Sequence, residues 1–119
     1  MGEHIEAERR RPQVVSTTHF QLTTCGFIYL IMTHEEIYQK AIAKYGVEAQ
    51  RKMAIEEMAE LTNALMKFDR GRNTVDDIVE EIADVSIMMA QLAIIYGQTA
   101  VALQIDYKTA RLEGRINKD

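Results

Sequence analysis

The spacing of apolar residues predicts helices through most of the chain. From Thr33 onward, apolar side chains recur three or four residues apart, as they do along one face of an α-helix. Thr33 and Glu36 form a capping-box pattern that predicts the start of the first helix, and Gly46 predicts its end. We therefore expect an all-α protein whose four helices pack in a bundle. The other three helices are predicted over about residues 47–68, 74–96 and 99–115.

The third predicted helix is apolar on almost every side. A helix of this kind must be covered all round, and three other short helices do not supply enough cover. We therefore expect the domain to oligomerise through this central helix, as a homodimer or a homotetramer. The apolar residues of this helix are Ile78, Val79, Ile82, Val85, Ile87, Met88, Met89, Leu92, Ile94 and Ile95.

The first 31 residues differ from the rest and predict a separate N-terminal arm. Pro12 and a polar, β-prone stretch precede a short apolar run at residues 27–32. That run is far shorter than the ~20 residues that cross a membrane, and no small-residue cleavage site follows it. We expect residues 1–31 to be either a poorly ordered arm or an over-extended start before Met32, and residues 32–119 to form one helical domain.

Charge and cysteine content narrow the range of functions. The formal net charge is −4, and basic residues form no dense cluster beyond residues 9–11, which disfavours binding to nucleic acid polymers. Cys25 is the only cysteine, so the chain has no intrachain disulfide and no thiolate zinc cluster. Because neither export nor membrane anchoring is predicted, we expect a cytoplasmic protein.

Four acidic residues lie in mirrored positions on the second and third predicted helices. The residue numbers of Glu57 and Asp84 average to 70.5, and so do those of Glu60 and Glu81. If a hairpin turns near Gly71, each pair comes level and four carboxylates converge between two antiparallel helices. Such a group of oxygen ligands is a site for a hard divalent cation.

Helical angles place two of the four acids within an apolar stripe. Acidic residues on helices are usually solvated, but Glu81 and Asp84 lie beside Met88 on the apolar side of the third helix. Buried carboxylates are costly unless they are paired, protonated or bound to a cation. The two helices contain no histidine, so the remaining oxygen ligands suit Mg²⁺, with Mn²⁺ as a second choice. Glu57 lies at the edge of its apolar face, and Glu60 lies further round.

The fourth predicted helix carries basic residues that fit an anionic substrate. Lys108, Arg111 and Arg115 lie on one side of it, and Lys108 interrupts its apolar stripe. Mg²⁺ usually takes substrate phosphates as ligands, so we expect a phosphorylated substrate. Two alternatives stay open at this point. Lys108 either binds phosphate or extends along apolar surface to water, and Glu56 is either a solvated neighbour or a residue that orients the attacking water.

Together, the EExxE pattern from Glu56 to Glu60 and the ExxD pattern from Glu81 to Asp84 resemble the MazG-like branch of the all-α nucleoside triphosphate pyrophosphohydrolases. Three strings are similar to short stand-alone members of that family, so the resemblance covers about residues 32–116 and excludes the arm. The strings are IEEMAEL (55–61), EEIADVSIMMAQL (80–92) and KTARLEGRI (108–116).

The resemblance implies a MazG-type domain with hydrolase activity. Members of the family cleave a nucleoside triphosphate between the α and β phosphates, releasing the monophosphate and pyrophosphate, with Mg²⁺ held by the acidic residues. The family often has Asn two residues before the lysine, where this chain departs from the pattern with Asp106. By motif position, the implied residues are Glu57, Glu60, Glu81 and Asp84 as metal ligands and catalytic residues, Glu56 as a further catalytic residue, and Lys108 and Arg111 as substrate-binding residues.

Two other functions remain open. A phosphoribosyl-ATP pyrophosphohydrolase shares this helical scaffold and chemistry. A non-catalytic helical module would instead use the acids to bind a structural cation or a basic partner. Base and sugar specificity depend on pocket shape and on contacts with partner subunits, which a single sequence does not display.

Overall fold

The computed structural model describes the backbone of residues 24–118 and the side chains of residues 34–118. It contains four α-helices and no strand among these residues, which confirms the predicted all-α class. None of the described helices is long and apolar enough to cross a membrane. The chain divides into two units between His34 and Glu35, and the candidate site lies in the second unit. The helices are α1 (Thr24–Tyr45), α2 (Val47–Asp69), α3 (Val75–Tyr96) and α4 (Gln98–Lys118).

Helix α1 starts earlier than the capping-box pattern predicts. It begins at Thr24 and continues through Thr33, so the predicted start at Thr33 is wrong. The residues between these two threonines include Ile, Leu, Met, Phe and Tyr but no proline, so nothing there removes a helical hydrogen bond. Residues 24–31 are therefore helical, and residues 1–23 of the predicted arm lie outside the described part of the chain.

A five-residue turn, residues 70–74, joins α2 to α3 and makes them antiparallel. Asn73 closes the turn by donating a hydrogen bond from Nδ2 to the backbone oxygen of Ala64 at 2.9 Å. Thr74 caps α3, because its backbone N–H donates to Asp77 Oδ2 at 2.8 Å and its Oγ1 accepts from the Asp77 N–H at 3.4 Å. The hydrogen bonds that the Thr74 N–H and Oγ1 donate to the Asp77 carboxylate lower the pKa of Asp77 below its usual value.

Helices α2 and α3 pack along a seam whose residues alternate three and four positions apart. This spacing is typical of coiled coils, in which each side chain fits between residues of the facing helix. All the seam residues are buried or half-buried, and the small side chains of Ala54 and Ala64 let the helices approach closely. The seam consists of Gln50, Ala54, Glu57, Leu61 and Ala64 on α2, and Ile78, Glu81, Val85, Met88, Leu92 and Ile95 on α3.

A buried hydrogen bond fixes the register of the hairpin. Gln50 Nε2 donates to Gln91 Oε1 at 2.6 Å, and both side chains are buried. Gln50 and Gln91 also average to residue 70.5, the centre that the acidic pairs predict. The antiparallel alignment is therefore confirmed by two residues that do not belong to the acidic pattern. A single polar contact within an apolar seam is a known means of selecting one register over others.

We expect Gln50→Leu to lower the free energy of unfolding by about 1–3 kcal/mol, because it leaves the buried amide of Gln91 without its partner. The double variant Gln50→Leu/Gln91→Leu removes both amides and should be nearly as stable as the wild type. Urea denaturation followed by circular dichroism measures both values. A double variant that is less stable than Gln50→Leu alone would show that the pair does not behave as one buried contact.

Helix α4 does not pack along the hairpin. Among the described residues it makes only a small contact with α3, and none of its own residues is buried. A single residue, Gly97 (φ 124°), joins α3 to α4, and a single residue, Gly46 (φ 91°), joins α1 to α2. Antiparallel helices that lie side by side need linkers of about 2–5 residues. The prediction of one four-helix bundle is therefore wrong for the single chain.

The side of the hairpin opposite Asp84 leaves apolar surface exposed. Its side chains are 40% to 60% exposed, although they lie on helices that pack well along the seam. A broad exposed apolar face is typical of an interaction surface. The homodimer or homotetramer stays a prediction, which light scattering after size-exclusion chromatography would check. The exposed residues are Ile55, Met58 and Leu65 on α2, and Val75, Val79 and Ile82 on α3.

Candidate metal centre between α2 and α3

Three of the four mirrored acids meet at the α2–α3 seam. One carboxylate oxygen from each of Glu57, Glu81 and Asp84 lies within 4.8 Å of the other two. Glu57 comes from α2, whereas Glu81 and Asp84 lie one turn apart on α3. The seam positions of Glu57 and Glu81 aim both side chains at the facing helix. The result is a triangle of oxygen ligands supplied by two helices.

These carboxylates are partly buried, and among the described residues they have neither a hydrogen-bond donor for their buried oxygens nor a compensating positive charge. All three are half-buried, and Oε2 of Glu57 and Oε2 of Glu81 are buried without a hydrogen-bond partner. Burial raises the pKa of Glu57, and the charges of Asp84, Glu60 and Glu81 raise it further. Burial also raises the pKa of Glu81, and the negative charges of Glu60 and Asp84 raise it further. No Lys or Arg in the described part of the chain counters either rise.

The other two predicted catalytic acids lie at the open rim of this cluster. Glu60 is not among the three carboxylates that meet; its side chain is exposed, and its charge acts on Glu57 and Glu81 from nearby. Glu56 is also exposed, and its charge contributes to the raised pKa of Glu57. Both side chains are therefore adjacent to the cluster without belonging to its partly buried centre.

The structure does not bring Lys108 and Arg111 to the carboxylates. Both are exposed on α4, and the Arg111 guanidinium lies over the Tyr107 ring, 5.9 Å from its centroid. Among the described residues, neither forms an ion pair with an acidic side chain. Asp106, the departure from the family pattern, is exposed on the same helix. The substrate-binding role of Lys108 and Arg111 stays a prediction.

The Gln50–Gln91 pair is a structural feature of the site that the sequence predictions missed. It lies two turns from the carboxylates along the seam and holds the two helices at the register that makes the acids level. Two signals in the sequence could have revealed it. Both residues occupy or flank seam positions of the heptad spacing, and their residue numbers average to 70.5, as those of the acidic pairs do. The carboxylate cluster depends on this register, because a slip of one turn would separate Glu57 from Asp84.

Comparison with known protein families, with curated proteins and with solved structures finds no match.

The residues of the cluster fit a hard divalent cation. The three ligand atoms that meet are all carboxylate oxygens, and no histidine or cysteine of the described residues belongs to the group. Oxygen ligands suit Mg²⁺ and Mn²⁺, whereas softer transition metals prefer nitrogen or sulfur. The two buried, unpartnered oxygens are positions where a cation would replace the missing hydrogen-bond donors.

We expect acidification to weaken cation binding, because protons compete with the cation for Glu57 and Glu81. Since the pKa values of both carboxyls are raised, this weakening should begin at a higher pH than for ordinary carboxylates.

In the cation-free protein, acidification should have the opposite effect and stabilise the folded state. The folded state holds these protons more tightly than the unfolded chain, so stability rises as pH falls through the raised pKa values, and the gain is complete below the usual pKa of 4.5.

Thermal unfolding in EDTA and in MgCl₂, measured from about pH 7 down to about pH 4, checks both directions. The rise in Tm that Mg²⁺ produces should shrink steadily with acid. A Mg²⁺ effect of the same size across this whole range would mean that the cation binds somewhere other than Glu57 and Glu81.

Proposed function

We propose that the protein is a Mg²⁺-dependent nucleoside triphosphate pyrophosphohydrolase of the MazG-like kind, which hydrolyses an NTP or dNTP to the monophosphate and pyrophosphate. The observation that carries the proposal is the meeting of the Glu57, Glu81 and Asp84 carboxylates between two antiparallel helices, with buried oxygens that lack partners. The EExxE and ExxD patterns, which place these residues in the order typical of that family, support it.

The cation would be held by Glu57, Glu81 and Asp84, with the exposed Glu60 as the fourth ligand at the rim. When bound, Mg²⁺ neutralises charge on phosphate oxygens and lowers the pKa of a coordinated water. Without a cation, the three carboxylates would repel a polyphosphate, because like charges at such short distances disfavour each other. The same residues therefore select for a substrate that arrives with Mg²⁺.

The surrounding side chains give the cluster one dry side and one open side. Met88 is buried beside the carboxylates and Val85 is half-buried, which keeps water from the inner side of the cluster. The outer side, where Glu56 and Glu60 are exposed, remains open to a substrate. In this proposal, Glu56 at the rim orients the attacking water or accepts a proton from it.

A panel of nucleotides with Mg²⁺ tests the proposal, with products separated by anion-exchange chromatography. We expect the monophosphate and pyrophosphate from at least one NTP or dNTP, and no reaction in EDTA. If phosphoribosyl-ATP were the only compound hydrolysed, the protein would instead be a phosphoribosyl-ATP pyrophosphohydrolase. A rise in Tm with Mg²⁺ but no pyrophosphate from any compound would contradict the proposal and favour a non-catalytic metal-binding module.

A further inference from the structure

The acidic side of the α2–α3 hairpin carries an apolar patch at one end. We define this side as the one on which Glu60 and Asp84 lie, next to the seam. Helical angles place Met53 and Ile87 on the same side, one turn beyond the acids in the direction away from the interhelical turn. Their side chains are 41% and 40% exposed. An apolar pair at the edge of a charged site suits a flat aromatic ring, which Met in particular contacts favourably.

Lys67 lies at the other end of the same side. It follows Glu60 by seven residues, which places it on the same face of α2 and about 10 Å nearer to the interhelical turn. Long side chains on a helix lean toward its N-terminus, so the ammonium of Lys67 is directed back toward Glu60.

The effect of Lys67 on Asp77 agrees with this direction. In the register of the hairpin, Asp77 lies opposite Ala64, one turn before Lys67. The pKa of Asp77 is lowered by hydrogen bonds from Thr74, and the positive charge of Lys67 lowers it further. The charge of Lys67 therefore acts at a level between Lys67 itself and the carboxylate cluster.

A gap separates Lys67 from the carboxylates. Lys67 is exposed and forms no ion pair among the described residues. It also does not counter the raised pKa values of Glu57 and Glu81, so it lies too far away to neutralise them. A phosphate chain that begins at a cation on the carboxylates can extend across this gap, and a charge-assisted hydrogen bond from Lys67 would hold its last group.

The order of these groups matches the order of groups in a nucleoside triphosphate. The acidic side presents an apolar patch, then carboxylates for a metal ion, then an ammonium group. The nucleotide presents an aromatic base, then phosphates that bind Mg²⁺, then a terminal phosphate. The opposite direction would place phosphates against Met53 and Ile87, where removing their charge from water is unfavourable.

We propose that the hairpin binds its nucleotide in one direction, with the base over Met53 and Ile87 and the terminal phosphate at Lys67. This binding direction rests on the proposed function and deepens it. A diphosphate held in the same direction ends before it reaches Lys67. Lys67 therefore selects triphosphates over diphosphates, and the chain that supplies the carboxylates also supplies this cation.

Calorimetric titration in MgCl₂ with α,β-methylene analogues of nucleoside triphosphates and diphosphates, carrying each of the common bases, tests the phosphate end. These analogues resist cleavage between the α and β phosphates, so the measurement needs no turnover. We expect Lys67→Ala to raise the Kd of the tightest-binding triphosphate analogue by at least about fivefold. The Kd of the matching diphosphate analogue should change by less than about twofold. Equal changes for the two analogues would overturn the proposal.

Two further variants separate this role from a structural one. Lys67 lies in the last turn of α2, where a cation also stabilises the helix dipole, but loss of that effect would alter the binding of both analogues alike. Lys67→Arg keeps the charge and should keep the preference for triphosphates. Lys52→Ala removes an exposed lysine of α2 that pairs with Glu48 at 3.2 Å, and it should change neither Kd. If Lys52→Ala lost the preference as well, Lys67 would have no specific role.

The double variant Met53→Ala/Ile87→Ala tests the base end. We expect it to raise the Kd of the triphosphate analogue by at least about threefold, because apolar contact with the base is lost. Inorganic tripolyphosphate has no base, so it should bind the double variant and the wild type alike. Equal weakening of both ligands would overturn the placement of the base.

Binding and pyrophosphate release distinguish the two proposals. Pyrophosphate release by a protein whose Lys67→Ala variant keeps the preference for triphosphates would leave the proposed function standing and remove the binding direction. The expected preference without pyrophosphate release would do the reverse. If no triphosphate analogue bound to the wild type, both proposals would be wrong.

Discussion

Glu81→Gln is expected to lower Mg²⁺-dependent pyrophosphate release by at least about a hundredfold, because a bound metal ion contributes several kcal/mol of transition-state stabilisation and each 1.36 kcal/mol corresponds to a factor of ten. Gln keeps the length of the side chain and removes its charge. The carboxylate of Glu81 is one of three that meet at the seam, and its buried Oε2 lacks a hydrogen-bond partner.

The same substitution should stabilise the cation-free protein at neutral pH. Burial and neighbouring acids raise the pKa of Glu81, so its ionised form is disfavoured in the folded state relative to the unfolded chain. Loss of activity together with a higher Tm in EDTA is the pattern expected of a residue whose position serves function at the expense of stability. Steady-state kinetics and thermal unfolding in EDTA provide the two measurements.

Glu80→Gln is the matched control. It makes the same chemical change one position earlier on α3, where the side chain is exposed. It should change activity by less than about threefold, since surface substitutions outside a site have small effects. Equal losses from Glu80→Gln and Glu81→Gln would show that general negative charge on α3, rather than the cluster, supports the reaction.

Met88→Ala is expected to lower the free energy of unfolding by about 2–5 kcal/mol, because it removes a large apolar side chain from the centre of the α2–α3 seam and leaves a cavity. Met88 is only 4% exposed and lies near the Gln50–Gln91 contact, where its Sδ is 3.9 Å from Gln91 Nε2. A loosened seam should also weaken Mg²⁺ binding, since the two ligands from α3 and the ligand from α2 depend on close helix packing.

Met89→Ala makes the same change at the next residue, which is 39% exposed. We expect it to cost less than about 1 kcal/mol, because far more of this side chain than of Met88 already contacts water. Chemical denaturation of both variants at low protein concentration gives the comparison. If the two variants were destabilised equally, the seam would not run through Met88 and the predicted register would be in error.

The hairpin and its register could be predicted because they depend on local signals. Thr74 followed by Asp77 marks the start of α3, and Gly97 marks its end. Between these points, the mirrored spacing of acidic residues and the apolar period agree on one antiparallel alignment, which the Gln50–Gln91 hydrogen bond confirms. Helical angles also placed Glu60 further from the apolar face than Glu57, and the structure leaves Glu60 exposed.

Other features depend on interactions that sequence spacing does not reveal. Helix α1 begins before the capping-box pattern at Thr33, because the residues that precede Thr33 can also form a helix. The bundle was wrong for the single chain because one-residue links at Gly46 and Gly97 do not reverse the chain direction. The placement of Lys108 relative to the acids could not be predicted, since it depends on what α4 packs against.

The most direct test of the central claim is a Mn²⁺ titration followed by electron paramagnetic resonance, in which free Mn²⁺ gives the signal and bound Mn²⁺ does not. If Glu57, Glu81 and Asp84 hold a divalent cation, the wild type should bind Mn²⁺ saturably, Mg²⁺ should displace it, and Asp84→Asn should weaken binding by at least about tenfold. Equal Mn²⁺ affinity in the wild type and in Asp84→Asn would contradict the claim that this cluster is a metal site.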